Sequence, residues 1–363
     1  VPLSGAEEIG RAVEAAATAF REWRRTPPGE RIQYLFRFKR LLEDELDRLA
    51  RTVTEECGKT YAESVGELRR GIENVEVACG IPVMMQGYNS EDIATGIDET
   101  MIRQPLGVVG VITPFNFPGM IPLWFVPYAL ACGNPVVLKP SEKVPMTATR
   151  LVELLERTGL PRGAVNLVHG AKTAVDGMLD HPTVRAVSFV GSSPTARYVY
   201  ARGTANGKRM QCQGGAKNMV VVLPDADLET TAGVVAESAF GCAGQRCLAT
   251  ATAVTVGEAR SVFTDAVAEL ASSRVVGYGL LDGVQMGPVI SAQSKARIED
   301  LVGAGVRAGG KARVDGRRAR VPGYERGNFI GPTVLEGVDP GGELARTEVF
   351  GPVLSLMHAE TVE

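Results

Sequence analysis

What this sequence lacks narrows its function first. Cysteine is scarce, six in 363 residues, and Cys57, Cys79, Cys132, Cys212, Cys242 and Cys247 form no CxxC pair; the three histidines form no HxxxH. Neither a zinc site nor a disulfide framework is written into such spacing, so no metal is expected, and unpaired thiols suit a reducing compartment. Charge of one sign is also missing. The formal net charge is −3, and without a basic excess nothing draws the chain to nucleic acid or to an anionic membrane. The longest apolar runs, at 118–130 and 220–223, are too short or too rich in proline to span a bilayer. No charged-then-apolar leader opens the chain at Val1, although the start is abrupt enough to allow for an upstream piece. These absences point to a cytoplasmic protein, or a mitochondrial matrix protein in a eukaryote, whose partners are small molecules.

What is present reads as two α/β regions. Apolar residues recur at three- and four-residue spacing over 7–23 and 31–57, with Pro27, Pro28 and Gly29 between them, and a third helix is expected over 61–80. From Gly107 the texture changes. Apolar runs at 108–113, 135–138, 164–169 and 186–190 alternate with helical stretches at 118–131, 147–158, 174–179 and 194–203. Strand and helix in alternation predict a parallel sheet with crossover helices. A further strand at 219–223 leads into a helix at 228–240 and a second αβ region, and the glycine- and arginine-rich stretch 315–327 reads as an exposed loop. A chain of this length exceeds one core. The expected division is a Rossmann-like cofactor domain with N-terminal helices over 1–222 and a second α/β domain over 223–363. The chain ends just after an expected strand at 353–357. Domains seldom finish there, so a missing C-terminal part is expected.

In an open parallel sheet, ligands bind beyond the carboxyl ends of the strands. The first strand is followed by Thr113-Pro114-Phe115-Asn116, the second by Lys139-Pro140-Ser141-Glu142, and the fourth by Gly191-Ser192-Ser193. The last opens a helix, whose free N–H groups and dipole suit a pyrophosphate, although such turns are more often plain caps. No GxGxxG exists, so an ordinary dinucleotide fingerprint is absent. Lys139 and Glu142 read either as a solvated ion pair or as a clamp on ribose hydroxyls; a carboxylate there would repel a 2′-phosphate and favour NAD over NADP. Cys247 follows a glycine-rich turn and a cationic Arg246, conditions that expose a thiol and favour its thiolate. Cys242 and Cys212 remain rivals on these grounds.

The stretches ITPFNFP at 112–118, KPSE at 139–142, SFVGS at 188–192, GAKN at 215–218, FGCAGQRC at 240–247, NFIGPT at 328–333 and EVFGP at 348–352 resemble the aldehyde dehydrogenase superfamily, in its order and across essentially the whole chain. The DGRR and PGYERGNF segments at 315–318 and 322–329, with IENVE and GAKN, resemble its coenzyme A-acylating methylmalonate-semialdehyde dehydrogenase branch. The resemblance implies that Cys247 is the nucleophile and that Asn116 shares an oxyanion hole with the Cys247 amide. It implies that Lys139 and Glu142 contact the adenosine ribose, with Gly191 and Ser192 at the pyrophosphate. Glu348 matches the nicotinamide-ribose ligand, with Phe350 packing near the ring and Phe115 also beside the cofactor. Arg246 and Arg70 match arginines that bind a substrate carboxylate, although Arg70 reads equally well as an exposed helical arginine beside Glu73.

Gln213 is the informative departure. Hydrolytic members carry a glutamate there, which activates water, whereas the acylating branch commonly carries asparagine. A neutral amide takes no proton, so water loses its base, while a thiol needs less help. The resemblance therefore implies NAD-dependent oxidation of methylmalonate or malonate semialdehyde, with coenzyme A as acyl acceptor, by a homo-oligomer. A hydrolytic aldehyde dehydrogenase using another base, and a catalytically silent nucleotide-binding fragment, are the competing readings.

Overall fold

Residues 1–363 are all described by the computed structural model. The chain begins with helices because its apolar residues fall on one face of each. Helix α1 (Ala6–Trp23) turns Ile9, Val13, Ala16 and Trp23 inward. Helix α2 (Pro28–Asp44) starts on Pro28, where a missing N–H costs nothing, and buries Leu35, Phe38 and Leu42. The single helix expected over 31–57 is two. Glu45 leaves helical geometry (φ −100°, ψ 9°) before α3 (Leu46–Cys57) begins. Three acidic residues, Glu43 to Glu45, crowd this carboxyl end with no basic residue in the last turn, which opposes the helix dipole. Helices α4 (Tyr61–Cys79) and α5 (Ile81–Met84) follow, then an antiparallel hairpin of β1 (Tyr88–Ala94) and β2 (Ile97–Met101), every residue of it exposed.

Two compact units are present: Val1–Glu56 with Val65–Gly214, and Cys57–Ser64 with Gly215–Glu363. The first is doubly wound. Its strands are β3 (Val108–Ile112), β4 (Val136–Lys139), β5 (Val165–Leu167), β6 (Val184–Val190) and β7 (Arg209–Gln213). They are linked by α6 (Met120–Ala131), α7 (Pro145–Arg157), α8 (Lys172–Asp180) and α9 (Ser193–Ala205). The order is β5-β4-β3-β6-β7, with every pair parallel. The strand order reverses between β3 and β6, so the crevice at the ends of these two strands is the place where this architecture binds ligands. Val108, Ile112, Val137, Val187 and Phe189 pack with Ile9 and Val13 of α1 into one core.

The second unit has the sheet order β10-β11-β12-β9-β8. Its elements are β8 (Asn218–Val222), α10 (Leu228–Phe240), β9 (Thr250–Val256), α11 (Ala259–Ser272), α12 (Ala292–Arg307), β10 (Lys311–Val314), β11 (Thr333–Glu336), α13 (Glu343–Arg346) and β12 (Val353–Ala359). Only β10 runs antiparallel to its neighbour. Phe240, Phe263, Val302, Leu335 and Leu354 lie at its centre, each fully buried. The division expected after residue 222 differs from the observed one by strand β8, which pairs in parallel with β9 and so belongs to the second sheet. Residues 57–64 also join this unit: Tyr61 N–H donates to Gly279 O at 2.9 Å, and a Cβ on Gly287 would lie 1.7 Å from Gly58 O. No helix is long and apolar enough to cross a membrane.

Candidate active site

In the first unit the candidate residues gather at the carboxyl ends of the parallel strands. The loop after β3 carries Asn116, only 2% exposed, and Thr113, whose buried hydroxyl oxygen has no hydrogen-bond partner. This loop is fixed where it enters α6: the Glu67 carboxylate accepts the Gly119 and Met120 N–H groups at 2.7 and 3.0 Å. A carboxylate at a helix start satisfies two orphan donors and complements the dipole, so the position of Asn116 is built into the fold. The Phe115 ring lies 5.5 Å from the Lys143 ammonium.

Lys139 ends β4. Its side chain is buried, and its ammonium stands 3.5 Å from the carboxylate of the half-exposed Glu142. Burial pushes the Lys139 ammonium below the usual lysine range, and Glu142 opposes that shift. Beyond β6, the Gly191 N–H donates to Gln213 O at 3.1 Å, which ties this turn to the end of β7. Ser192 is extended (φ −67°, ψ 149°) as the residue before α9, and its hydroxyl meets that of Thr195 at 2.9 Å. The Gln213 side chain is exposed. Arg70 lies on the outer face of α4, 73% exposed and paired with Glu73 at 2.9 Å. An exposed pair of this kind holds its arginine weakly.

In the second unit the residues before Cys247 adopt an unusual path. Cys242 (φ 51°, ψ 33°) and Ala243 (φ 53°, ψ 37°) are both left-handed without being glycine. Gly244 is left-handed as well, and a Cβ there would lie 2.0 Å from the Gly351 carbonyl oxygen. Glu63 holds this turn, accepting the Cys242 N–H at 2.5 Å and pairing with Arg246 Nη2 at 3.3 Å. Arg246 also donates from Nε to Cys242 Sγ at 3.2 Å and from Nη1 to Glu237 O at 3.4 Å. Its guanidinium is thus already committed within its own unit. Gln245 is buried, with its side chain donating to Cys242 O and accepting the Ile290 N–H at 3.0 Å. Past the turn, Asn218 donates to Cys247 O and Ala249 O at 2.9 and 3.0 Å. The thiol-bearing residue therefore sits in a segment fixed on both sides.

The three candidate thiols differ in their surroundings. Cys242 is 5% exposed, and burial pushes its thiol up. Burial also pushes up that of the half-buried Cys212 on β7. Cys247 is itself partly exposed. Glu348 and Phe350 lie before β12. The Ala216 N–H donates to the Glu348 carboxylate, and a Cβ on Gly215 would fall 1.9 Å from its Oε2, so only glycine lets the carboxylate lie on this backbone. Burial raises the Glu348 carboxyl, opposed by Ala216, Arg297 and Lys217. Phe350 is a third left-handed non-glycine residue (φ 52°). No cluster of three or more His, Cys, Asp or Glu side chains is arranged to hold a metal.

Four of these residues escaped the sequence reading. Glu63 and Glu67 looked like ordinary helical acids, and Asn218 and Lys217 entered only as parts of the GAKN stretch. The site contacts of Glu63, Glu67 and Asn218 lie between 29 and 183 residues away, a separation that local pattern does not reveal.

The aldehyde dehydrogenase family profile matches residues 1–363. The malonate-semialdehyde dehydrogenase of Pseudomonas aeruginosa is 44% identical over 100% of this chain and 73% of its own length. An acylating, mitochondrial methylmalonate-semialdehyde dehydrogenase of Arabidopsis thaliana is 46% identical over 100% of this chain and 60% of its own. A Sinorhizobium meliloti protein assigned as a methylmalonate-semialdehyde dehydrogenase, solved in complex with NAD, superposes with a TM-score of 0.98 at 43% identity, covering 99% of this chain and 74% of that one. In fold, in strand order and in sequence along its whole length, this chain belongs to the aldehyde dehydrogenase family.

Proposed function

We propose that the protein oxidises methylmalonate semialdehyde, and malonate semialdehyde, with NAD and delivers the acyl group to coenzyme A. The observation that carries this reading is the fixed segment around Cys247, a partly exposed thiol, in contrast to two rivals whose thiols burial pushes up. The likeness to a malonate-semialdehyde dehydrogenase and to an acylating methylmalonate-semialdehyde dehydrogenase supports the substrate class.

The first unit fits a dinucleotide. An orphaned buried hydroxyl on Thr113 and a buried ammonium on Lys139, with Glu142 beside it, offer donors from the hydroxyl and ammonium and acceptors from the hydroxyl and carboxylate to a ribose at the ends of β3 and β4. Lys139 and Glu142 would hold the adenosine ribose, Gly191 and Ser192 the pyrophosphate, and Glu348 the nicotinamide ribose, with Phe115 and Phe350 packing nearby. NAD, when bound, supplies the hydride acceptor.

The chain's own residues do the rest. The Cys247 thiolate adds to the aldehyde carbon and forms a thiohemiacetal. The Asn116 side-chain amide and the Cys247 backbone N–H donate to the developing oxyanion, and collapse with loss of hydride leaves a thioacyl-enzyme. The coenzyme A thiol attacks that thioester, and Cys247 leaves. The substrate carboxylate departs as carbon dioxide, and the carbon it leaves takes up a proton, balanced by the one the coenzyme A thiol releases, so methylmalonate semialdehyde yields propionyl-CoA and malonate semialdehyde yields acetyl-CoA. Gln213 carries no proton acceptor for water, which disfavours the carboxylic acid as product. Arg246, and Arg70 with it, would attract the substrate carboxylate. A homo-oligomer belongs to the same reading, supported by the fully exposed β1–β2 hairpin with Tyr88, Ile93 and Ile97 on its surface.

The test is product analysis with each semialdehyde and NAD, with coenzyme A omitted or supplied. Acyl-CoA should accumulate with NADH in equal amounts, and without coenzyme A NADH should stop after one turnover. Rapid, sustained turnover to a free acid without coenzyme A would replace this reading with the hydrolytic one.

A further inference from the structure

The turn that leads to Cys247 is costly, and one side chain far away in sequence holds it. Left-handed geometry is unfavourable for a non-glycine residue, and here Cys242 and Ala243 adopt it in succession. Such a conformation persists only where the surroundings over-determine it. Glycines allow the surroundings to close in: a Cβ on Gly241 would fall 2.5 Å from the Arg246 guanidinium. The polar restraint comes from Glu63. This side chain is 13% exposed and uses both carboxylate oxygens. Oε2 accepts the Thr60 N–H at 2.9 Å while the Thr60 hydroxyl accepts the Glu63 N–H at 3.3 Å, a capping box that anchors Glu63 at the start of α4. Oε1 then reaches the Cys242 N–H at 2.5 Å and Arg246 Nη2 at 3.3 Å. One anchored carboxylate thus ties the strained turn to the guanidinium of the residue before Cys247.

We propose that Glu63 is a positioning residue for acyl-enzyme formation: it fixes the Cys242–Ala243 turn and the Arg246 guanidinium, and through them the place of the Cys247 thiol and amide. This inference rests on Cys247 being the nucleophile. It adds a residue that touches no substrate, and it gives Arg246 an ion-pair partner in Glu63 beside its contact with Cys242.

The experiment measures the NADH burst after rapid mixing of the protein with NAD and propanal, in Glu63→Ala, Glu63→Gln and Cys247→Ala. Glutamine retains an oxygen that can accept the Cys242 N–H, so its burst should stay within about threefold of wild type. Alanine leaves that N–H and the turn unsupported, so its burst should fall about tenfold or more, the scale of a small misplacement of reacting groups. KM for NAD should stay unchanged in both. Iodoacetamide mapping reports the fold, because Cys57 and Cys79 are buried and should remain unmodified. If Glu63→Ala does not hold the fold by that measure, Glu63→Ala with both Cys242→Gly and Ala243→Gly carries the test, since glycine adopts the two left-handed positions without support and should regain the burst. A wild-type burst in Glu63→Ala, a glutamine variant as impaired as alanine, or no recovery with the two glycines overturns the proposal. A burst that survives in Cys247→Ala refutes the nucleophile assignment instead.

Discussion

In the first unit, Asn116, Lys139 and Gly191 stand at or just beyond the ends of β3, β4 and β6, and their backbones need no unusual geometry. In the second unit, Cys247 and Glu348 are flanked by Cys242, Ala243 and Phe350, all left-handed without glycine. Each unit draws one buried carboxylate from the first turns of α4. Glu67 completes an ordinary helix start at α6, while Glu63 restrains a turn that would otherwise relax. The candidate residues of the first unit are therefore placed by regular secondary structure and one completed helix start. The thiol is placed by stored strain, which only a particular set of distant contacts maintains. Strain of this kind concentrates where function needs a fixed geometry.

The sharpest division between the units is chemical. Cys247→Ala should abolish NADH formation completely, whereas Cys212→Ala, on β7 of the first unit, should retain most of it. Stopped-assay NADH yields on both variants check this. Retained activity in Cys247→Ala would place the chemistry elsewhere and dissolve the contrast.

A matched pair of glycine variants probes the scaffolds themselves. In Gly244→Ala the new methyl meets the Gly351 backbone oxygen at 2.0 Å, at a φ of +67°, and nothing there can rotate away. In Gly191→Ala the methyl meets the tip of the Phe189 ring at 2.5 Å, with φ outside the left-handed region. A ring can tilt, at roughly the 1–3 kcal/mol typical of overpacking. Gly244→Ala should therefore lower Tm the more, by at least about 4 °C, and suppress the NADH burst. Gly191→Ala should mainly weaken NAD binding. Thermal melts and NAD titrations of both decide it; equal losses of stability would show that the first unit is no more tolerant than the second.

The same contrast explains what could be read in advance. Strands β3, β4, β6, β8 and β12 coincide with the apolar runs that predicted them; β3 and β4 are buried at every residue, as continuously apolar parallel strands are, whereas β8 keeps its apolar run with Met219 and Val221 exposed. Strand β7 was missed because Arg209, Gln211 and Gln213 are exposed and give it no such run. The hairpin β1–β2 was missed because it buries nothing. The break at Glu45 carries neither proline nor glycine, and only its cluster of acids signals it. On the candidate site, motif residues at strand ends were legible individually. The restraints on them were not: Glu63 and Cys242 are 179 residues apart, and a left-handed Ala243 or Phe350 has no signature in composition.

The most local effect concerns Lys217, in the 215–218 segment against which the Glu348 carboxylate lies. Its ammonium is buried without a hydrogen-bond partner. Burial pushes it from the usual 10.5 down to about 8, with Glu348 pulling the other way. The unfolded chain therefore holds a proton between pH 8 and 10.5 that the folded chain has released. Stability rises with pH wherever the unfolded state binds more protons, so Lys217 makes the fold relatively more stable across that window. Below pH 8 both states are protonated, and the full cost of burying the charge is present. Lys217→Met removes the titration while keeping most of the apolar length. The variant should melt higher than wild type at pH 7, and the gap should close as pH approaches 10. The quantity to read is the difference between the two proteins at each pH, in which every ionisation they share cancels. Melting temperatures that differ by a constant amount from pH 7 to 10 would mean that Lys217 keeps an ordinary affinity for its proton, and that solvent or a cofactor oxygen reaches it.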